Sequence, residues 1–200
     1  YMITRKEMTR MLLKEGLLSW LANNSFESVT VTSLCKASGI TRSTFYLHYS
    51  NIMEIVDDLV DDAIAYSKPG MVDNNNLQTI ANTLSAASNS VSLREAYDSI
   101  FDRLPLCQRI IRHKKYLPLF LDEQISEYVL QRIIGREKDR QGLVIAVSLG
   151  VLFDVGVSVF VFLVHGLYAV NKQYKWSQSD EWLEAQKIIF ELVYRGLQSR

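Results

Sequence analysis

The stretch LVIAVSLGVLFDVGVSVFVFLVHGLYAV, residues 143–170, constrains this chain more than any other. Its length and apolarity suit either a bilayer span or a helix covered by protein on every side. Asp154 decides between them. A carboxylate near the middle of a span is costly in lipid, and basic anchors flanking the stretch are sparse. The segment from Arg140 to about Lys172 therefore reads as one long helix buried by its own subunit and by a partner subunit, without a membrane.

Around that segment the chain offers little but helix. Three prolines and nine glycines are spread over 200 residues, and apolar–polar alternation is sustained nowhere, which predicts an all-α fold. Helix periodicity begins at about Thr4 and runs to Ala22, with Met8, Met11, Leu12, Leu18 and Leu21 on one face and Asn23 and Asn24 suited to a left-handed cap. Thr30 caps a short helix over Val31–Ser38, and Gly39 breaks it. Thr41 caps another through about His48, and Asn51 with Glu54 makes a capping-box start for a helix reaching Tyr66. SKPGMVDNNN, residues 67–76, is the clearest linker. The Asn- and Ser-rich stretch 74–92 reads as loose, and further helices are expected over Leu93–Leu104, Leu117–Ile134 and Asp180–Leu197. The domains so read are 1–50, a connecting helix 51–66, and 67–200.

Two short helices joined at a glycine form a helix-turn-helix pattern. Leu34, Ile40 and Phe45 are spaced to close a miniature core, with Cys35 in a slot for a small side chain. That core frees the second helix to present its other face. Thr41, Arg42, Ser43, Thr44, Tyr46, Leu47 and His48 are candidate DNA-contacting residues, because a helix in the major groove offers its first residues to base edges and its hydroxyls to phosphates. Thr30, Thr32 and Asn51 are candidate phosphate holders beside helix starts. Tyr49 and Phe45 read as core aromatics. Net charge is zero, yet residues 1–50 carry six Lys or Arg against three Glu, whereas residues 51–66 hold Glu54, Asp57, Asp58, Asp61 and Asp62 with no cation.

In TVTSLCKASGITRSTFYLHYSNIMEI, residues 30–55, the chain resembles the TetR family of bacterial transcription regulators: Thr30-Val31, Leu34-Cys35, Ala37, Gly39-Ile40-Thr41, Thr44-Phe45-Tyr46, His48-Tyr49 and Ile55 stand where that family's N-terminal motif has like residues. The resemblance covers about a quarter of the chain. It implies an N-terminal three-helix DNA-binding domain and a helical ligand-binding and dimerisation domain. A homodimer would bind a near-palindromic double-stranded operator as a repressor and release it when a small-molecule effector enters. Three departures stand out: Ile52 where the family often has lysine, Ser25 near a usual glycine, and the acidic run. They keep a second reading in view, a TetR-like interaction protein that binds a protein partner and has weak or lost sequence-specific DNA binding.

The dimer interface is expected from two stripes. Gly142, Ala146, Gly150, Asp154 and Ser158 recur every fourth residue, and Trp182, Ala185, Ile189, Leu192 and Gly196 share a face of the last helix; paired about a two-fold axis they suggest a four-helix bundle. Tyr97, Phe101, Phe120, Tyr128 and Phe153 are candidate pocket walls, with Asp154 as polar anchor or as partner of Arg112. No catalytic triad, carboxylate pair or phosphate loop is present, so an enzyme is not expected. Cys35 and Cys107 lack framework spacing and His48, His113 and His165 are scattered, which points to reduced thiols and no metal or other cofactor in a cytoplasmic protein. Arg5, Lys6, Arg10 and Lys14 interrupt any apolar core a secretory leader would need.

Overall fold

A computed structural model describes residues 4–66, 76–104, 108–109 and 114–198. Among these the chain is helical throughout, with ten α-helices: α1 Arg5–Leu21, α2 Val31–Ser38, α3 Arg42–Tyr46, α4 Ile52–Tyr66, α5 Asn76–Ser85, α6 Ser90–Ser99, α7 Leu117–Leu121, α8 Ser126–Leu149, α9 Phe153–Gln173 and α10 Asp180–Gln198. Short 3-10 turns stand at Phe26–Ser28 and Phe101–Arg103. The chain divides into two compact units, Tyr1–Tyr66 with His113–Ile133, and Ser67–Arg112 with Ile134–Arg200. Residues 113–133, expected with the C-terminal domain, thus belong to the first unit. Most of the linker at 67–76, together with Cys107, Arg112 and His113, lies outside the described residues.

In the first unit, α1 and α4 pack around Leu13, Leu17, Leu34, Phe45, Ile55, Val56 and Leu59, all essentially inaccessible, each worth roughly 1.5–3 kcal/mol of transfer free energy. The buried face of α1 is Thr9, Leu13, Leu17, Leu18 and Leu21. The expected Met8, Met11 and Leu12 remain partly exposed. Thr9 can occupy an inner position because its hydroxyl donates to the Arg5 carbonyl at 3.0 Å. Asn23 and Asn24 do not take the left-handed cap: the cap residue is Ala22 in right-handed backbone, and the Asn side-chain amides donate back to Ser19 O and Trp20 O. Gly16 marks the crossing of α1 and α2, since a Cβ there would overlap the Ser38 hydroxyl.

In the second unit, α5, α6 and α10 bury Ile80, Leu84, Leu93, Tyr97, Trp182, Leu183 and Phe190. Within the stretch expected to be loose, Asn76–Ser85 is helical and α6 starts at Ser90, where Asn89 with Ser92 forms a full capping box. Two expected helices are each divided. Leu117–Ile134 breaks after Leu121 at Asp122, and the long apolar helix breaks at Gly150, which closes α8 with φ +62° while Val151 N donates to Ala146 O at 3.0 Å. The chain then folds back: a Cβ on Gly142 would collide with Val157, and one on Gly156 with the Gly142 carbonyl and Ala146. Helix α9 has a mean hydropathy of 1.9 over its best window and is long enough to cross a membrane, yet only 22% of that window is buried.

Candidate nucleic-acid interface

The candidate recognition element, α2 and α3, is built by three local devices. The Thr30 hydroxyl accepts from Ser33 N at 3.0 Å and Ser33 Oγ accepts from Thr30 N at 2.9 Å, which fixes the start of α2. Gly39 ends it with φ +66°, and Ile40 N donates to Cys35 O at 2.9 Å. Because a Cβ at Gly39 meets nothing within 4 Å, its glycine answers to backbone conformation rather than space. Thr41 then caps α3, accepting from Thr44 N at 3.1 Å, with its Oγ1 lying 2.9 Å from Ser43 Oγ and 2.8 Å from Thr44 Oγ1.

Helix α3 stops at Tyr46, sooner than the expected His48. Phe45 is wholly buried, edge-on to Tyr46 at 5.2 Å and tilted against Tyr49 at 6.2 Å. Anchoring that ring turns the other side of the helix outward. Thr41, Arg42 and Ser43 are exposed, Tyr46 is 54% and Leu47 80% exposed, and Thr44 and His48 are half-buried. His48 Nδ1 faces inward without a partner. Leu34 and Cys35 close the small core with Phe45, while Ile40 is only half-buried; burial pushes the Cys35 thiol pKa up. Thr30 and Thr32 are exposed beside the start of α2. Asn51 Oδ1 accepts from Glu54 N at 3.2 Å, but the reciprocal bond goes one residue earlier, from Ser50 N to Glu54 Oε2 at 2.8 Å.

Asp57, Asp58 and Asp62 of α4 are paired within the first unit. Asp57 accepts from Tyr128 OH at 2.7 Å and pairs with Arg132 at 3.1 Å; Asp58 accepts from Tyr49 OH at 2.6 Å and Arg10 Nε at 3.1 Å; Asp62 pairs with Lys14. The Arg10 guanidinium also lies 5.0 Å over the Tyr49 ring. Burial first, then the bond to Asp58, raises the Tyr49 phenol well above its usual range. These ties withdraw Arg10 and Lys14 from the surface supply of cations. Arg5, Lys6, Lys36 and Arg42 stay exposed, with no ion pair among the described residues.

The turn leading into α2 has its own clamp, one the sequence reading missed. Asp122 Oδ2 accepts from Phe26 N at 2.7 Å, while Oδ1 accepts from Gln124 N and Ile125 N ahead of α8. Its only sequence signal is an Asp shortly before a helix start. Ser25 takes φ −76°, so no glycine is needed there.

The candidate pocket walls are divided between the two units. Phe120 and Tyr128 lie in the first unit, Phe120 buried and Tyr128 bonded to Asp57, whereas Tyr97, Phe101, Phe153 and Asp154 lie in the second. Tyr97 is buried; Phe153 and Asp154 are exposed. The residues of the two expected dimer stripes differ in their surroundings. Gly142 and Ala146 are consumed by the α8–α9 crossing, Gly150 is the left-handed turn residue, and Asp154 and Ser158 are exposed. On α10, Trp182 is wholly buried, joined inside by Leu183, Gln186 and Phe190; Ala185 and Ile189 are half-buried. Ile188, Leu192 and Gly196 lie on the exposed side. No family model matches the chain, and neither does any curated protein or solved structure.

Proposed function

We propose that this chain is a ligand-responsive homodimeric transcriptional regulator of the TetR kind, a repressor that reads a palindromic double-stranded operator through α3. The observation carrying the reading is the pair α2–α3 held at Gly39, with Phe45 locked inside and Arg42, Ser43, Tyr46 and Leu47 outside. Arg42 supplies a planar donor fork for guanine, worth roughly 1–3 kcal/mol of discrimination, and Leu47 an apolar contact suited to a thymine methyl. The internal ion pairs of α4 support it too, since pairing Asp57, Asp58 and Asp62 lessens the repulsion that the acidic run would otherwise offer to phosphate.

Exposed apolar side chains on the second unit supply the second copy's seat: Leu143 and Val147 on α8, Val155 and Phe162 on α9, Ile188 and Leu192 on α10. Two protomers would bring their recognition helices about 34 Å apart, one DNA turn, and an effector preferring another arrangement would lower operator affinity by its ratio of affinities for the two states. The same exposed side chains also favour the second reading, a protein whose partner is another polypeptide and for which DNA is incidental.

The deciding experiment is gel retardation of duplex DNA from the region upstream of the chain's own coding sequence, at low salt, with scrambled duplex as competitor. Selective retardation, weakened by Arg42→Ala more for the selected duplex than for the scrambled one, supports the regulator. Retardation without selectivity, or none, with partners recovered by pull-down, supports the second reading.

A further inference from the structure

The interior of the second unit holds a polar cluster that its own contacts leave incomplete. Tyr97 OH donates to Gln108 Oε1 at 2.9 Å, and Gln108 Nε2 donates to Gln186 Oε1 at 2.9 Å. With the Gln186 oxygen so engaged, its Nε2 group has no partner although the residue is wholly buried. One helical turn back on α10, Trp182 Nε1 donates to Asn171 Oδ1 at 3.0 Å. An indole N–H can only donate, so the Asn171 oxygen is fixed toward Trp182, and the Asn171 Nδ2 group is left equally buried and equally unpartnered. Tyr97 stands edge-on to Trp182 with ring centroids 5.2 Å apart, which joins both halves into one cluster.

Two buried amide donors with no hydrogen-bond partner cost free energy unless something accepts from them. The leftover groups are all N–H and all uncharged. The charged neighbour in sequence, Arg109, is turned to the Asp102 carbonyl at 3.2 Å. Two neutral N–H donors restore less than an anion loses in hydration, and a ligand's own hydrogen-bond donor would meet two groups that only donate. We propose that Asn171 Nδ2 and Gln186 Nε2 form the polar end of a binding site for an uncharged molecule bearing a carbonyl-type acceptor on an aromatic or apolar body, packed against Trp182 and Tyr97. This deepens the regulator reading by giving the effector a chemical class, and it rests on that reading only for the consequence of binding.

The test uses three probes of one shape on the full chain: acetophenone, ethylbenzene and benzoate. Binding is read from the side-chain NH2 resonances of 15N-labelled protein, assigned with Asn171→Asp and Gln186→Glu. These variants keep the oxygen that Trp182 or Gln108 binds while removing the free NH2 group. Acetophenone is expected to move both NH2 signals downfield and to bind at least about tenfold tighter than the other two. Each variant is expected to lose about tenfold for acetophenone alone. Gln186→Met, which brings no buried acid, serves as a further check should Gln186→Glu fold poorly. The proposal is overturned if acetophenone leaves both signals unmoved at millimolar concentration, or if ethylbenzene or benzoate binds as well as acetophenone. Retarded operator DNA provides a separate arm: acetophenone that binds without releasing DNA leaves the site standing and counts against ligand-responsive regulation.

Discussion

Tyr49 carries more of the first unit's integrity than its place beside the recognition helix suggests, because its phenol is both buried and bonded to Asp58 beneath Arg10. Both effects favour the protonated form, so the folded chain holds that proton more tightly than the unfolded chain, whose phenols titrate near pH ~10. The stability linked to this group is therefore complete below that value and drains as the pH climbs toward the folded one. Tyr49→Phe has no proton to lose. Urea midpoints of the two proteins, compared between about pH 8 and 11, are expected to converge as the pH rises. Parallel curves would show that Tyr49 ionises no differently in the two states. Gly39 makes a separate residue-scale case: with no neighbour near a Cβ, Gly39→Ala should cost only the left-handed backbone term, about 1–2 kcal/mol in denaturant unfolding, and Gly39→Asn less.

At the scale of helices, the same substitution at two glycines is expected to be rescued at one and not at the other. Gly16→Ala drives a methyl into the Ser38 hydroxyl, the end of a short side chain, and gains up to about 1 kcal/mol of helix propensity in return. In a Ser38→Ala background that overlap disappears and the tightest remaining neighbour is Leu34 Cδ1 at 3.3 Å, the end of a flexible side chain that can shift by a few tenths of an ångström, so Gly16→Ala should change from destabilising to stabilising, a reversal that a double-mutant cycle measures. Gly156→Ala meets the backbone carbonyl of Gly142, which has no rotamer to yield, and should cost at least about 1–3 kcal/mol with no rescue from a side-chain change. The same crossing explains what was and was not legible. Caps at Thr30, Gly39 and Thr41 act within a few residues, so their sequence pattern already contains their physics. Gly150 carried no such local mark: a glycine inside an apolar run fits a continuing helix as well as a turn, and only the fold-back of α9 on α8 distinguishes them. On α1 and α10 the periodicity was visible but its phase was not. A satisfied Thr9 and an inward Gln186 occupy buried positions that an apolar count assigns elsewhere.

For the whole molecule, the proposed function raises the question of how a chain of zero net charge would hold a polyanion. With Arg10 and Lys14 committed to α4, residues 1–50 offer Arg5, Lys6, Lys36 and Arg42, so if these carry the phosphate contacts the proposed dimer would displace few counterions and the slope of log K against log salt should be no steeper than about −7. So small an electrostatic contribution makes tight binding depend on two heads acting together, since a linked second head binds at an effective concentration that adds about 10²–10⁴ to affinity without a new contact. Phe162 and Leu192, 73% and 65% exposed on the second unit, are the side chains whose charging should disturb pairing while leaving each protomer's interior alone. Phe162→Glu with Leu192→Glu is expected to sediment as a monomer, keep its helical circular dichroism, and lose about 10²-fold or more in operator affinity. Its non-specific affinity per head should hardly change, because none of the four exposed cations is touched. A monomeric double variant that still retards the operator like the parent would mean that one head suffices, and the two-fold reading of the operator would fall with it.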